Sequence, residues 1–117
     1  MSITEKEKML SGKMYQAFDP VLSAERLAAR ETVYDINQLR PRDIDSRNAL
    51  IKKLFGRTEE TFHIEPPFNC DYGYNISIGN HFYANFNLVI LDCAPVSFGN
   101  HVFIGPNVGI YTAGHPL

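Results

Sequence analysis

Residues 76–110 read ISIGNHFYANFNLVILDCAPVSFGNHVFIGPNVGI, and their spacing decides the fold. Ile78, Ala84 and Ile90 lie six apart, and Phe98, Ile104 and Ile110 resume the beat after a two-residue slip near Pro95. The residues two places before them, Ile76, Phe82, Leu88, Val96, Val102 and Val108, are apolar as well. Gly79, Asn85, Gly99 and Gly105 follow at one phase, and glycine and asparagine tolerate the positive φ of tight corners. Such a beat predicts a coil of short parallel strands with a corner every six residues. Three faces close one triangular turn, so a rung takes about 18 residues. Ile78, Ala84 and Ile90 then lie beneath Phe98, Ile104 and Ile110, with the slip as a small bulge at a corner. An antiparallel β-domain is the rival, because alternation imitates part of the pattern. Alternation alone does not demand glycine or asparagine at a fixed phase.

Outward from this stretch the grammar changes. Residues 1–56 read as a helical domain and 57–117 as the first rungs of the coil, so the chain is mainly β with a helical N-terminal segment. Thr4 and Glu7 have the spacing of a capping box, followed by a short apolar face of Met9, Leu10 and Met14. Asp19-Pro20 starts a second helix, a capping side chain followed by proline at the first helical position. Ala24, Leu27, Ala28 and Tyr34 fall at helical spacing behind it. Pro41 breaks continuity, and Asp43 or Asp45 can cap a third helix with the stripe Leu50, Ile51, Leu54 and Phe55. Lys52 and Lys53 suit its negative end, and Gly56 suits a left-handed stop.

With 44% hydrophobic and 21% charged residues among 117, the composition is that of an ordered soluble protein. A net charge of −2 gives no electrostatic reason for a nucleic-acid or anionic-membrane partner. The opening residues are too charged for a signal peptide, and no apolar run approaches membrane-spanning length. Cys70 and Cys93 are too few for a disulfide scaffold. The expected location is the cytoplasm.

Glu5-Lys-Glu-Lys-Met-Leu10, Gly12-Lys-Met-Tyr15 and Asp19-Pro20 resemble the small helical domain that opens maltose and galactoside O-acetyltransferases. Asp71-Tyr-Gly-Tyr-Asn-Ile76, Gly79-Asn80, Phe82-Tyr-Ala-Asn-Phe-Asn87, Leu91-Asp92 and Ile104-Gly-Pro-Asn107 are similar to their first rungs. Tyr111-Thr-Ala-Gly-His-Pro116 is similar to the segment that holds their catalytic histidine. The resemblance implies a left-handed parallel β-helix of hexapeptide-repeat type, assembled as a homotrimer. It also implies transfer of acetyl from acetyl-CoA to a sugar hydroxyl, with no metal required.

An alcohol is a poor nucleophile at neutral pH, so its acetylation needs a base, and histidine has a suitable pKa. The resemblance assigns that role to His115. It places Asn85 at the acceptor sugar, where an amide both donates and accepts. It also places Tyr83 and Asp71 in the acceptor region, with Asp92 near it, and makes Asp19 the candidate acid from the helical segment. Asn85 serves equally as a corner residue, Tyr83 as a packing residue between subunits, and Asp19 as a helix cap. At position 71 the galactoside enzymes carry a smaller polar group, and at 93 some relatives carry an acid. Cys93 raises a rival mechanism through a protein thioester, against which a neighbouring Asp92 would raise the thiol pKa. His81 and His101 share one phase and are expected to stack on the outer face of the coil, and His63 suggests no particular role.

Members of the resembling family continue for several further rungs, which carry most acetyl-CoA contacts. Cofactor-binding residues are therefore expected downstream of Leu117, and the 117-residue piece alone is expected to be inactive. The alternatives are an O-acetyltransferase of antibiotics or other xenobiotics on the same fold, and a truncated, non-catalytic oligomerisation module.

Overall fold

The structure, a computed structural model, describes residues 3–112. Three helices come first: α1 (Glu5–Leu10), α2 (Pro20–Gln38) and α3 (Ile44–Leu54). Eight short strands follow: β1 (Phe62–Ile64), β2 (Phe68–Cys70), β3 (Ile76–Ser77), β4 (Phe82–Ala84), β5 (Leu88–Leu91), β6 (Val96–Ser97), β7 (Phe103–Ile104) and β8 (Gly109–Tyr111). They pair in parallel as three sheets, β1-β4-β7, β2-β5-β8 and β3-β6.

Partners stand twenty residues apart, as in Phe62 with Phe82, Ala84 with Ile104 and Ile90 with Ile110. The expected stacking holds, but the rung is two residues longer than expected. The corner between β2 and β3 carries the extra pair, and so does the corner between β5 and β6 above it. The slip near Pro95 is thus a repeated feature of the third corner. The coil also begins a full rung before Ile78, with Phe62, Ile64, Phe68, Cys70 and Ile76 buried beneath the residues of the next turn.

The left-handed residues other than glycine are His81, Asn87, His101 and Asn107, with φ between 59° and 66°, two places later than Gly79, Asn85, Gly99 and Gly105. Asparagine and histidine enter this region more readily than most residues. Gly79 answers a different demand: a Cβ there would lie 2.6 Å from the Gly99 backbone of the rung above.

In α1 the Thr4 hydroxyl accepts from the Glu7 amide at 3.0 Å, and Met9 is buried. The helix ends at Leu10, so the expected face does not reach Met14, which is 91% exposed. Asp19 caps α2 by accepting from the amides of Val21 and Leu22. The buried stripe of α2 is Leu22, Ala29, Val33 and Ile36, whereas Leu27 and Tyr34 from the expected stripe are 60% and 62% exposed. In α3, Ile51, Leu54 and the following Phe55 are buried as read, while Asp43 makes no side-chain cap. The helix stops at an extended Phe55 rather than at a left-handed Gly56. Gly56 is needed because a side chain there would collide with the Tyr74 carbonyl.

What selects the packed stripe of α2 is the base of the coil. The helix runs antiparallel to β2 and its corner, with Asn37 against Phe68, Arg26 against the Tyr72 hydroxyl and Glu25 against that of Tyr74. A first rung has no strand beneath it to satisfy its backbone. Asn37 supplies the missing partner: Nδ2 donates to the Phe68 carbonyl at 2.9 Å and Oδ1 accepts from the Phe68 amide at 3.0 Å. Asn37→Ala leaves both groups of a fully buried residue unpaired and is expected to cost about 2–3 kcal/mol. The urea midpoint measures this, and an unchanged midpoint would show that water replaces the amide.

Candidate active site

The extended third corner is shaped by one buried carboxylate. Asp92 is fully buried, and its Oδ1 accepts from the amides of Asp71 (3.2 Å) and Tyr72 (2.9 Å) in the rung below. Oδ2 accepts from Gly73 (2.8 Å) and Asn75 (3.3 Å), while Asn75 Nδ2 donates to the Asp92 carbonyl at 2.7 Å. Gly73 completes the turn at φ 87°, where a side chain would also run into Leu54. Burial pushes the Asp92 carboxyl above the usual aspartate value, and the amides of Tyr72, Gly73 and Asn75 pull it back. The sequence expectation put Asp92 near the acceptor. In the structure both of its oxygens are spent on bracing the corner.

The braced corner presents Asp71, half-buried, with the Cys93 thiol donating to its Oδ2 at 3.5 Å. Burial pushes the Cys93 thiol up, the Tyr15 hydroxyl pulls it down, and Asp71 adds to the push ahead of Asp92. Burial and Asp71 both favour the thiol over the thiolate, which weighs against nucleophilic catalysis by Cys93. Tyr15 joins this corner from the segment before α2, packed against the buried Met9, Leu22 and Tyr72. Nothing in the local sequence signals that placement, which depends wholly on how the helices seat. Above Cys93 the chain re-enters the same corner at Thr112, whose amide donates to the Leu91 carbonyl at 3.1 Å. The Thr112 hydroxyl accepts from the Ala94 amide at 3.0 Å. His115 lies outside the described residues.

Tyr83 and Asn85 sit elsewhere. Tyr83, on β4, is stacked between His63 and Phe103, with ring centroids 5.3 Å and 5.0 Å away. Asn85 starts the next corner, where its Oδ1 accepts from the Phe86 amide at 2.8 Å. Its Nδ2 makes no hydrogen bond among the described residues. The width of β5, about 13 Å at strand rise, separates this edge from that of Asp71 and Cys93. Asp19 holds the start of α2 through Oδ2 alone. One chain therefore divides the candidate residues between two corners. His81 and His101 stack at 4.8 Å as expected, and no metal-binding group of three or more side chains occurs among the described residues.

The maltose acetyltransferase hexapeptide capping motif matches residues 8–59. Galactoside O-acetyltransferase of Escherichia coli (strain K12) is 38% identical over 117 residues, covering 100% of this chain and 58% of that protein. The crystal structure of a maltose O-acetyltransferase from Clostridium difficile 630 superposes with a TM-score of 0.95 at 39% identity, over 100% of this chain and 63% of that one. A galactoside acetyltransferase in complex with coenzyme A superposes with a TM-score of 0.93 at 37% identity, over 99% and 58%. This chain belongs to the maltose/galactoside acetyltransferase family. It spans between 46% and 63% of the length of the curated relatives it matches. The capping motif of the family coincides with the helices that close the coil here, so Asn37 gives that cap a physical content: it terminates the parallel hydrogen bonding beneath β2.

Proposed function

We propose that this chain forms part of an acetyl-CoA-dependent O-acetyltransferase that esterifies a sugar hydroxyl, with His115 as the general base. The observation that supports this most is the third corner. Asp71 is held at its surface by the Asp92 brace, and Thr112 brings the chain back into register above it, three residues before His115. A carboxylate beside a tyrosine-lined corner suits a sugar, whose hydroxyls donate to it while ring faces pack.

In the reaction, the imidazole of His115 takes the hydroxyl proton as the acceptor oxygen attacks the thioester carbonyl. Collapse of the tetrahedral adduct breaks the carbon–sulfur bond, and the proton passes to the departing thiolate. No acyl-enzyme is formed. The complex of a related galactoside acetyltransferase with coenzyme A supports the choice of donor. The family's left-handed coil and trimeric assembly would answer the division of candidate residues, setting the Tyr83 and Asn85 edge of one subunit against the Asp71 edge of the next. The unoccupied amide donor of Asn85 would then face the acceptor or the developing oxyanion. The cytoplasm supplies the acetyl-CoA donor.

Thiol release from acetyl-CoA by the full-length protein, with glucose, maltose or a galactoside as acceptor, tests the reading. An acetylated sugar is expected by mass spectrometry. Transfer to none of the three, or preferential transfer to hydroxylated antibiotics, would reject it.

A further inference from the structure

The corner that joins β3 to β4, and the corner above it that joins β6 to β7, each carry a histidine at the same phase. His81 and His101 are one rung apart, and their rings stack with centroids 4.8 Å apart and planes 17° apart. Their backbones are held in place. The His81 amide donates to the Thr61 carbonyl at 2.7 Å, and the His101 amide donates to the Asn80 carbonyl at 2.8 Å. Beside them, Asn100 Oδ1 accepts from the Asn80 amide at 2.8 Å. Both histidines are exposed and left-handed, with φ 59° and 60°. A left-handed corner does not call for imidazole. At the next corner the corresponding residues are Asn87 and Asn107, whose side chains satisfy each other through a 2.9 Å hydrogen bond. Among the described residues the only imidazole with a hydrogen-bond partner is that of His63, on Glu65. His81 and His101 therefore each keep a ring nitrogen available.

We propose that His81 and His101 together chelate a divalent ion of the imidazole-seeking class, zinc, nickel or copper, on the outside of the coil. Imidazole nitrogen suits these ions, whereas calcium and magnesium take oxygen ligands. Two nitrogens bound to one tetrahedral ion at about 2.0–2.1 Å stand roughly 3.4 Å apart. Rings stacked at 4.8 Å reach that separation by tilting toward one another, and their exposure leaves room for the tilt. The position one rung below is Thr61, and no group of three or more metal-binding side chains occurs among the described residues. Water therefore completes the coordination sphere, and the ion exchanges freely. The two ligands belong to successive turns, so the ion clips one rung to the next. An ion that binds the folded coil and not the unfolded chain raises its melting temperature.

Calorimetric titration of the full-length protein with Ni²⁺ at neutral pH tests the clip, alongside His81→Asn, His101→Asn and His63→Asn. Asparagine preserves the two corners because it tolerates the left-handed backbone, as Asn87 and Asn107 do. The wild type is expected to hold Ni²⁺ at a site that either corner variant weakens by at least about tenfold. A lone imidazole loses the gain from a second ligand held at high local concentration. His63→Asn should leave that site unchanged, and Mg²⁺ should not occupy it. Ni²⁺ should raise the melting temperature of the wild type and of His63→Asn more than that of the two corner variants. No Ni²⁺ binding by the wild type overturns the proposal, as does a binding curve that neither corner variant changes. A change in only one corner variant also overturns it, because the ion would then rest on a single imidazole. So does loss of the site in His63→Asn, which would place the ion on the His63–Glu65 pair.

Discussion

Replacing His115 by alanine in the full-length protein is expected to lower kcat by about 10²–10⁴-fold, the contribution of a positioned general base. The KM for acetyl-CoA should stay near its wild-type value, because the imidazole is asked to act on the acceptor proton and not to bind the donor. The assembly mass should be unchanged. Added imidazole should restore part of the lost turnover, which a merely structural role would not allow. The burial that raises the Cys93 thiol weighs against a competing thiolate at the same corner. Turnover by His115→Ala equal to wild type would therefore reject the mechanism and not just relocate it.

The upper rungs were legible because their inward positions are aliphatic and their corners carry glycine or asparagine. Ile78 under Phe98, Ala84 under Ile104 and Ile90 under Ile110 follow from spacing alone. The first rung was hidden because Glu59 and Glu65 stand where the next turn has Gly79 and Asn85. The extra pair of residues in the third corner resembles a single slip when only one copy of the beat is visible. For α2, periodicity offered two stripes without ranking them. The ranking comes from the pairing of Asn37 with Phe68 and of Arg26 with Tyr72, contacts that join residues 31 and 46 positions apart. The candidate site shows the same limit. Residue types named Asp71, Tyr83, Asn85 and Asp92, but only coordinates reveal that Asp92 faces inward onto four amides while the others divide between two corners.

That division makes Asp92 the most consequential structural residue of the corner. Asp92→Ala removes an acceptor from the amides of Asp71, Tyr72, Gly73 and Asn75 at once. A buried amide left without a partner costs roughly 1–3 kcal/mol, and loosening of the corner lets water recover part of the total. A loss of about 4 kcal/mol is therefore expected from urea unfolding, comparable to breaking a buried ionic arrangement. Asp92→Asn should be nearly as damaging despite its matching shape, because one acceptor oxygen becomes an NH₂ group facing amides that also donate. Asp71→Ala is the contrast: its own carboxylate braces no amide among the described residues, so stability should change by less than about 0.5 kcal/mol while the KM for the sugar rises. If Asp92→Ala costs less than about 1 kcal/mol, the amides are not held by the carboxylate, and the account of how this corner presents Asp71 fails with it.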